Sequence, residues 1–375
     1  MRVVNLIYKG LAYYFVLVFI SLVPNIAIGN TNLDQYELEI WLIEKPEKLI
    51  TYLTHLPKNK ISKKEQEIAL TYHAEALLLQ DEYIEIQKLV KSCNTTFSSR
   101  ELNVRVLTVK SYALLLSNKE KQALKCINKA EELFNKGQPQ GWEDIWALSV
   151  KVLILSKIER QKESKALIVK LYRYIESIPN DFRKANILEP LSMTYGLSFN
   201  NPQLALKKYQ QVITIYEELQ LMNHLSTAYY NQGVLFIENK QDVKALESAK
   251  LSYDLAKKTK STTNLLYSVE LIASLYLKSE EYQKGLNIIE QTMQSNIDVP
   301  PTLEAYLMYR RAIIAKNIGK KNIHMQSLLK LVELSDQYEL KSKNITKARI
   351  MLAKLYGEKK RFEKAYNLLL TVVDN

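Results

Sequence analysis

The sequence repeats itself at intervals of about 40 residues, and this periodicity limits the folds open to it more than any other feature. In the three clearest units, which begin at Ser226, Leu266 and Thr346, a small residue at position 8 is followed by an aromatic residue at position 11, and by a pair such as Ala-Leu at positions 20 and 21. Residues three apart share one face of a helix. Each unit is therefore predicted to form two antiparallel helices, called here its first and second helix. Units begin at Glu67, Val104, Ala185, Ser226, Leu266, Ala305 and Thr346, with a weaker one near Ala147.

A repeat array also changes the expected number of domains. Length alone suggests two or three domains for 375 residues. Stacked repeats bury their apolar faces against their neighbours, so they form one continuous solenoid. Only 9 of the residues are glycine, about 2.4% against an average near 7%. This composition disfavours β-sandwiches and Rossmann sheets, which depend on many tight turns or on Gly-rich phosphate loops.

The small residues at positions 8, 20 and 27 and the aromatic residues at positions 11 and 17 resemble the tetratricopeptide repeat. The closest matches are the segments YYNQGVLFIENKQDVKALESA and LAKLYGEKKRFEKAYNLL. The resemblance implies an all-α, right-handed solenoid of antiparallel helix pairs over residues 67–375, with about eight repeats. Residues 30–66 are predicted to form an N-terminal helix pair divided at Pro46. HEAT repeats have a similar period, but they do not explain the Tyr/Phe and Ala-Leu positions.

Residues 1–29 have the pattern of an export signal. Arg2 and Lys9 precede an apolar run of 13 residues, 11–23, and the triplet 27–29 offers a small-x-small cleavage pattern. Thirteen helical residues span about 20 Å, which is short of the roughly 30 Å bilayer core. The sequence thus predicts cleavage after Gly29 and a periplasmic protein. Secretion, or anchoring by an uncleaved segment over residues 7–28, is the alternative.

The net charge of +12 does not indicate a nucleic-acid partner. Only 10 of the 52 basic residues are Arg, the side chain best suited to bidentate phosphate recognition, and an exported protein rarely meets nucleic acid. Basic residues alternate with Glu, as in the segments KKEQE and EKKRFEK, so most are predicted to lie on solvated helix faces. Weak attraction to anionic lipid headgroups or cell-wall polymers is the alternative.

No constellation in the sequence points to catalysis. His55, His73, His224 and His324 lie in distant repeats, and there is no HExxH motif, zinc-type Cys/His cluster, P-loop or nucleophile elbow. The sequence therefore predicts a protein that is not an enzyme and has no metal or cofactor. Cys93 occupies an inward-facing position and is predicted to be a small buried residue. A disulfide between Cys93 and Cys126 is the alternative.

The inner face of the solenoid is the predicted binding surface. Exposed positions 2, 5, 6, 9, 12 and 13 of the first helices give seven candidate partner-binding residues: Tyr230, Asn231, Val234, Glu270, Arg310, Lys347 and Lys354. Asn231 matches the asparagine that hydrogen-bonds a peptide backbone in peptide-binding members of the family. Arg310, Lys347 and Lys354 are suited to a carboxylate or an acidic partner. Packing and solvation are the alternative roles. Pro190 is predicted to kink its helix.

Two functions follow from these observations. The first is an exported scaffold that binds a protein or peptide partner through its concave face. The second is an extracytoplasmic sensor module, because an export signal, a helix pair and 40-residue repeats resemble the input regions of bacterial GGDEF (diguanylate cyclase) and histidine kinase proteins. The sequence contains no GGDEF or kinase motif. The predicted partner is thus a protein or peptide, with a membrane signalling protein as one candidate, and membrane contact is expected only through an uncleaved N-terminal segment.

Overall fold

A computed structural model describes residues 33–373, apart from 95, 135–138 and 296. The predicted export signal, residues 1–29, lies outside the described residues. The regular structure of the described part is helical, with eighteen α-helices and one 3-10 turn at Lys58–Lys60. None of these helices combines the length and the apolar character needed to cross a bilayer.

The helices follow one another with short connections. In chain order they are α1 (Gln35–Glu44), α2 (Pro46–Thr54), α3 (Lys63–Leu79), α4 (Tyr83–Leu89), α5 (Arg100–Leu116), α6 (Glu120–Glu132), α7 (Trp142–Lys157), α8 (Gln161–Ile175), α9 (Phe182–Leu197), α10 (Pro202–Glu218), α11 (Met222–Glu238), α12 (Asp242–Thr259), α13 (Thr262–Lys278), α14 (Tyr282–Gln294), α15 (Pro301–Asn317), α16 (Lys321–Gln337), α17 (Lys343–Glu358) and α18 (Phe362–Val373).

The first two helices meet at Pro46. This proline is the first residue of α2, where its missing N–H and fixed φ cost nothing, while α1 ends at Glu44 and is capped by Lys45. The repeat array then begins at α3, whose start carries a capping box. The Ser62 side chain accepts the Glu65 N–H, and the Glu65 carboxylate accepts the Ser62 N–H.

From α3 onward, odd-numbered helices are first helices and even-numbered helices are second helices. Each first helix packs on its own second helix, and it also packs on the first helix of the next pair. The predicted all-α solenoid of helix pairs is confirmed. The predicted position-8 residues, Ala74, Ser111, Ser192, Gly233, Ala273, Ala312 and Ala353, are buried. A Cβ on Gly233 would lie 3.1 Å from Leu271 and 3.2 Å from the Ala245 carbonyl oxygen, so the small residue permits the helices to cross closely.

The turns explain how the chain folds with so little glycine. Ten described residues other than glycine adopt a left-handed conformation with φ of 52–62°, mostly where one helix ends. Among the described glycines, Gly319 has a positive φ. The next residue donates its N–H to the carbonyl five residues earlier, as in Gln241 to Phe236 at 2.8 Å and Lys320 to Ala315 at 2.9 Å. This is the hydrogen bond of a Schellman motif. The turns thus rely on capping hydrogen bonds to hold strained residues.

This strain gives a stability prediction. The substitution Lys240→Gly is expected to raise the free energy of unfolding by up to about 1 kcal/mol, because glycine removes the Cβ clash of the left-handed region at a smaller cost in unfolded-state entropy. The substitution Gly319→Ala makes the reverse change at another left-handed position. Nothing surrounds the added Cβ, so its expected loss of about 1 kcal/mol reports backbone conformation alone. Urea denaturation of both variants checks the signs. A destabilised Lys240→Gly variant would mean that the lysine side chain has a role of its own there.

The state of the two cysteines in the structure differs from the prediction for Cys93. Cys93 follows α4 and forms a disulfide with Cys126 in α6, with Cα atoms 5.1 Å apart. Cys126 is fully buried, whereas Cys93 is only partly buried. The interpretation of Cys93 as an isolated buried residue is therefore wrong, and the alternative is confirmed. The inward-facing position of Cys93 within its own repeat favours the buried, unpaired residue. The disulfide forms because stacking brings the end of one unit beside the second helix of the next.

Candidate functional site

A cavity of about 820 Å³ lies along the inner face of the solenoid. Four successive first helices, α5, α7, α9 and α11, contribute to it. Its lining includes Tyr112, Leu115, Leu116, Leu153, Lys157, Glu159, Asn186, Glu189, Pro190, Met193, Thr194 and Asn231. The side chains are a mixture of apolar and polar groups, as in sites that bind and orient a ligand.

Pro190 lies inside α9 and lines this cavity. Proline has no N–H, so the Asn186 carbonyl receives no helical hydrogen bond from residue 190. Asn186 lines the same cavity. Pro190 therefore lies where the first helices form the concave wall, and the carbonyl of the wall residue Asn186 lacks the usual helical hydrogen bond from residue 190.

The Glu189 carboxylate lines the cavity and accepts three hydrogen bonds. Its Oε1 accepts hydrogen bonds from the Tyr209 hydroxyl at 2.6 Å and from the Asn231 Nδ2 at 2.9 Å, and its Oε2 accepts one from the Tyr216 hydroxyl at 3.2 Å. Tyr209 and Tyr216 belong to α10 and are 0% and 1% exposed. Burial, and then the nearby carboxylate, raises the pKa of both hydroxyls well above the usual range. Both therefore act as neutral donors at physiological pH.

The carboxylate has no cationic partner within the described part of the chain. Fourteen ion pairs are formed there, and none includes Glu189. His224 is close enough to be influenced by Glu189, but burial lowers the pKa of this imidazole. Three neutral donors orient the charge of Glu189 without neutralising it. The cavity wall thus presents a fixed negative charge that can attract a basic group.

Helix α1 borders the inner face beside this cavity. The Arg183 guanidinium on α9 pairs with Glu39 on α1 at 2.5 Å, and the Tyr72 hydroxyl donates to the same carboxylate at 2.8 Å. Arg183 also stacks over the Trp142 ring, 4.6 Å from its centroid. A smaller cavity of about 40 Å³ lies beneath α1, and Asn186 lines both cavities. The N-terminal helix pair therefore reaches a helix about 140 residues away in sequence.

The seven residues predicted from the sequence fall into four groups. Asn231 lines the cavity and donates to Glu189. Tyr230 and Val234 are partly buried against the core shared by α11, α12 and α13. The Tyr230 ring lies 5.5 Å from that of Tyr267. These two residues contribute to packing between repeats, which was the alternative role.

Glu270 and Arg310 contact each other across two successive first helices. The Arg310 Nε donates to the Glu270 Oε1 at 3.1 Å, and both side chains are about three-quarters buried. The Arg310 guanidinium is already engaged by a carboxylate of its own chain, which differs from its predicted use for a partner. Lys347 and Lys354 are exposed on α17. Of the seven residues, only Asn231 lines the 820 Å³ cavity.

The sequence analysis missed Glu189, although a signal for it was present. In the unit that begins at Ala185, Asn186, Glu189, Pro190 and Met193 occupy positions 2, 5, 6 and 9. These are the positions predicted to face the groove, and all four residues line the cavity. The seven candidates lie in the units from Ser226 onward. The cavity lies mainly at the three first helices before them, α5, α7 and α9, and reaches only α11 among the helices that carry candidates.

The described residues show no group of three or more His, Cys, Asp or Glu side chains that could hold a metal ion. The buried His324 instead contacts the Ala312 carbonyl oxygen through Nδ1 at 2.8 Å. The absence of an enzymatic activity stays a prediction from the sequence.

Comparison with known proteins identifies the fold. No protein-family model matches the sequence, and no curated protein matches it. Solved structures do match over nearly the whole chain. The apo form of the quorum sensor NprR from B. thuringiensis has a TM-score of 0.55 at 15% identity, covering 90% of this chain and 96% of its own. The apo form of RapI has a TM-score of 0.54 at 12% identity, with coverages of 90% and 96%.

A Rap protein complexed with Competence and Sporulation Factor also matches, with a TM-score of 0.53 at 12% identity over 91% of this chain and 98% of that one. Identities this low establish the fold alone. The structural neighbours are tetratricopeptide-like repeat proteins, and this chain has stacked helix pairs with small residues buried where the helices cross. By fold, the chain is a solenoid of tetratricopeptide-like repeats.

Proposed function

We propose that the protein binds a protein or peptide segment in the groove formed by its first helices, and that Glu189 receives a basic group of that segment. The observation that carries the proposal is the Glu189 carboxylate, which lines an 820 Å³ cavity, accepts hydrogen bonds from three neutral donors and takes part in none of the ion pairs among the described residues. An ammonium or guanidinium group entering the cavity would supply the missing countercharge.

The geometry favours a specific contact over diffuse attraction. Tyr209 and Tyr216 are buried in α10, so they cannot turn away from the carboxylate without losing their hydrogen bonds. Preorganised charge of this kind costs little further ordering when the ligand binds. Charge-assisted hydrogen bonds contribute about 1.5–3 kcal/mol each. One Lys, Arg or free amino terminus is therefore expected to dominate the selectivity of the groove.

The structural neighbours support a binding function. A solved Rap protein of the same fold is a complex with the Competence and Sporulation Factor, and NprR is a quorum sensor. These descriptions belong to those proteins. For this chain they support the proposal that the inner face of the solenoid is a binding surface, which the cavity and Glu189 make specific.

The location of this function is part of the proposal. We infer that residues 1–29 direct export and that binding takes place in the periplasm. The Cys93–Cys126 disulfide supports this inference, because disulfides persist in oxidising compartments. Mass spectrometry of the processed protein checks it, and an intact Met1 would contradict cleavage after Gly29. The sensor role of a membrane signalling system stays a second prediction, tested by whether a GGDEF or kinase protein co-purifies with the chain.

Selection from a library of short randomised peptides tests the role of Glu189. Wild-type protein is expected to enrich peptides with Lys, Arg or a free amino terminus, relative to acetylated and neutral peptides. The variant Glu189→Gln keeps the shape and the acceptor oxygen but loses the charge, and the enrichment is expected to fall about tenfold. Thermal denaturation confirms that the variant is folded.

The matched control is Glu159→Gln, which removes another carboxylate from the lining of the same cavity. Glu159 is exposed and has no comparable set of donors, so this variant is expected to select as wild type does. If Glu189→Gln retains the preference for basic peptides, the proposed subsite is wrong. A loss of equal size in both variants would indicate general electrostatic attraction and would contradict the assigned role of Glu189.

A further inference from the structure

The C-terminal end of the solenoid carries a disproportionate share of the positive charge. Residues 340–375 contain nine Lys and Arg but three Asp and Glu, so half of the chain's net charge of +12 lies in 36 residues. Lys359, Lys360 and Arg361 are consecutive in the turn before α18, and all three are exposed. Lys364, directly after Glu363 on α18, is also exposed. This concentration departs from the even mixture of charges that the rest of the sequence shows.

Large apolar side chains are exposed beside these charges. Phe362 is 68% exposed and Tyr366 is 62% exposed, and Leu369 and Leu370 follow at 43% and 41%. Spacings of four, seven and eight residues place them along one side of α18. Ala365 and Leu368 on the same helix contact the core shared with α17. The exposed stripe is therefore distinct from the face that attaches α18 to the solenoid.

We propose that this end surface, formed by the Phe362, Tyr366, Leu369 and Leu370 stripe and the basic residues 359–361 and 364, docks on an anionic lipid bilayer. The apolar side chains would enter the headgroup boundary, while the basic side chains remain among the lipid phosphates. Helices that lie at a bilayer surface combine these two features, with Phe and Leu on one side and Lys or Arg on the other.

A bilayer accounts for the surface better than a second copy of the chain does. A two-fold contact would bring identical positive turns together, and like charges at short range oppose association. Lysines provide three of the four basic side chains, and lysine acts as a point charge rather than as a planar fork. That property suits many mobile phosphates more than one fixed carboxylate. The bilayer also supplies an apolar layer within reach of Phe362 and Tyr366.

Sedimentation with lipid vesicles tests the proposal. The processed protein is mixed with vesicles of 30% phosphatidylglycerol in phosphatidylcholine or of phosphatidylcholine alone, and its N-terminus is verified to be the same in every sample. Partitioning is expected to be at least tenfold stronger on the anionic vesicles and to weaken in 500 mM salt. Substitution of Lys359, Lys360 and Arg361 by Gln is expected to reduce binding about a hundredfold.

The turn after α12 provides a matched control. Lys257, Lys258 and Lys260 are exposed, and Lys260 has the same left-handed conformation as Lys360, with φ of 57° and 58°. Replacing these three lysines by Gln removes the same charge without affecting the proposed surface. Vesicle binding is expected to remain at the wild-type level. An equal loss in both triple variants would show that only net charge matters and would overturn the proposal.

Insertion of the apolar stripe needs a local readout. In the variant Phe362→Trp, the fluorescence emission of the new tryptophan is expected to shift to shorter wavelength on addition of anionic vesicles. The same substitution at Val243, which is 74% exposed on α12, is expected to show no shift. Equal binding to neutral vesicles, or no shift at position 362, would overturn the proposal. So would a dimer at micromolar concentration that Phe362→Ser together with Tyr366→Ser abolishes, because a second copy would then occupy the stripe.

Discussion

Replacing Arg105 by leucine is expected to lower the free energy of unfolding by about 3–5 kcal/mol. Arg105 lies on α5 and donates from Nε and Nη2 to the two carboxylate oxygens of Glu75 on α3, at 2.7 and 2.6 Å. The two side chains are only 8% and 7% exposed. Their removal from water is compensated by this bidentate contact, and by the Tyr72 ring 4.6 Å from the guanidinium carbon. Without Arg105, the Glu75 charge is buried and unpaired.

A double variant separates the contribution of the ion pair from the cost of leaving one buried charge unpaired. Arg105→Leu combined with Glu75→Leu removes both charges, so it is expected to recover most of the loss, since a buried ion pair is often replaceable by apolar residues. Long repeat arrays can unfold in parts. Hydrogen exchange of α3 and α5 therefore gives the local measure that a global melting curve can miss.

Arg160→Leu is the control, because the exposed pair of Arg160 with Glu163 is expected to contribute less than about 1 kcal/mol. If Arg105→Leu costs no more than this control, the buried pair does not stabilise the contact between the first two repeats.

The predictable part of the fold depends on spacing within one repeat. Small residues at position 8 are required wherever a first helix crosses a second helix, and Ala273, Gly233 and Ala353 reveal this without any knowledge of neighbouring repeats. Pro46 likewise marks the boundary between α1 and α2 by its own chemistry. Helix pairs, their order and their buried faces follow from such local rules, because each pair is a supersecondary unit that repeats.

The unpredicted part depends on contacts between units that are distant in sequence. Glu189 belongs to one first helix, but its orientation requires Tyr209 and Tyr216 from α10 and Asn231 from α11. The pair of Arg183 with Glu39 joins α9 to α1. The small rotation between successive repeats, summed over several pairs, decides which residues meet across the groove. Hydrophobic periodicity contains no measure of that rotation.

Arg310 is a second example of a contact that position within the repeat does not predict. Its position on a first helix predicts a side chain on the inner face, and its charge predicts an acidic partner. The partner is Glu270, one repeat earlier, at 3.1 Å. Position within the repeat identifies which residues face the groove. It does not show whether a neighbouring repeat has already supplied the matching charge.

Loss of the disulfide is expected to lower the free energy of unfolding by about 3–4 kcal/mol. Cys93 and Cys126 are separated by 33 residues, and the bond restricts a loop of that length in the unfolded chain. The variant Cys93→Ser with Cys126→Ala measures the effect by urea denaturation. Alanine is chosen at position 126 because this side chain is fully buried, where a serine hydroxyl would add its own cost. Dithiothreitol is expected to destabilise the wild type by the same amount and to leave the double variant unchanged.

The same bond connects stability with the proposed location. If residues 1–29 direct export, the processed protein has no thiol to alkylate before reduction, because both cysteines are paired. A chain that lacks residues 1–29 remains in the reducing cytoplasm, so both thiols are expected to react once the protein is denatured, and its stability is expected to match that of the double variant. Alkylation of both cysteines in the unreduced, processed protein would contradict the disulfide. Equal protection in the two compartments would show that the solenoid forms the bond without an oxidising environment, and the argument for export would then depend on the N-terminal segment alone.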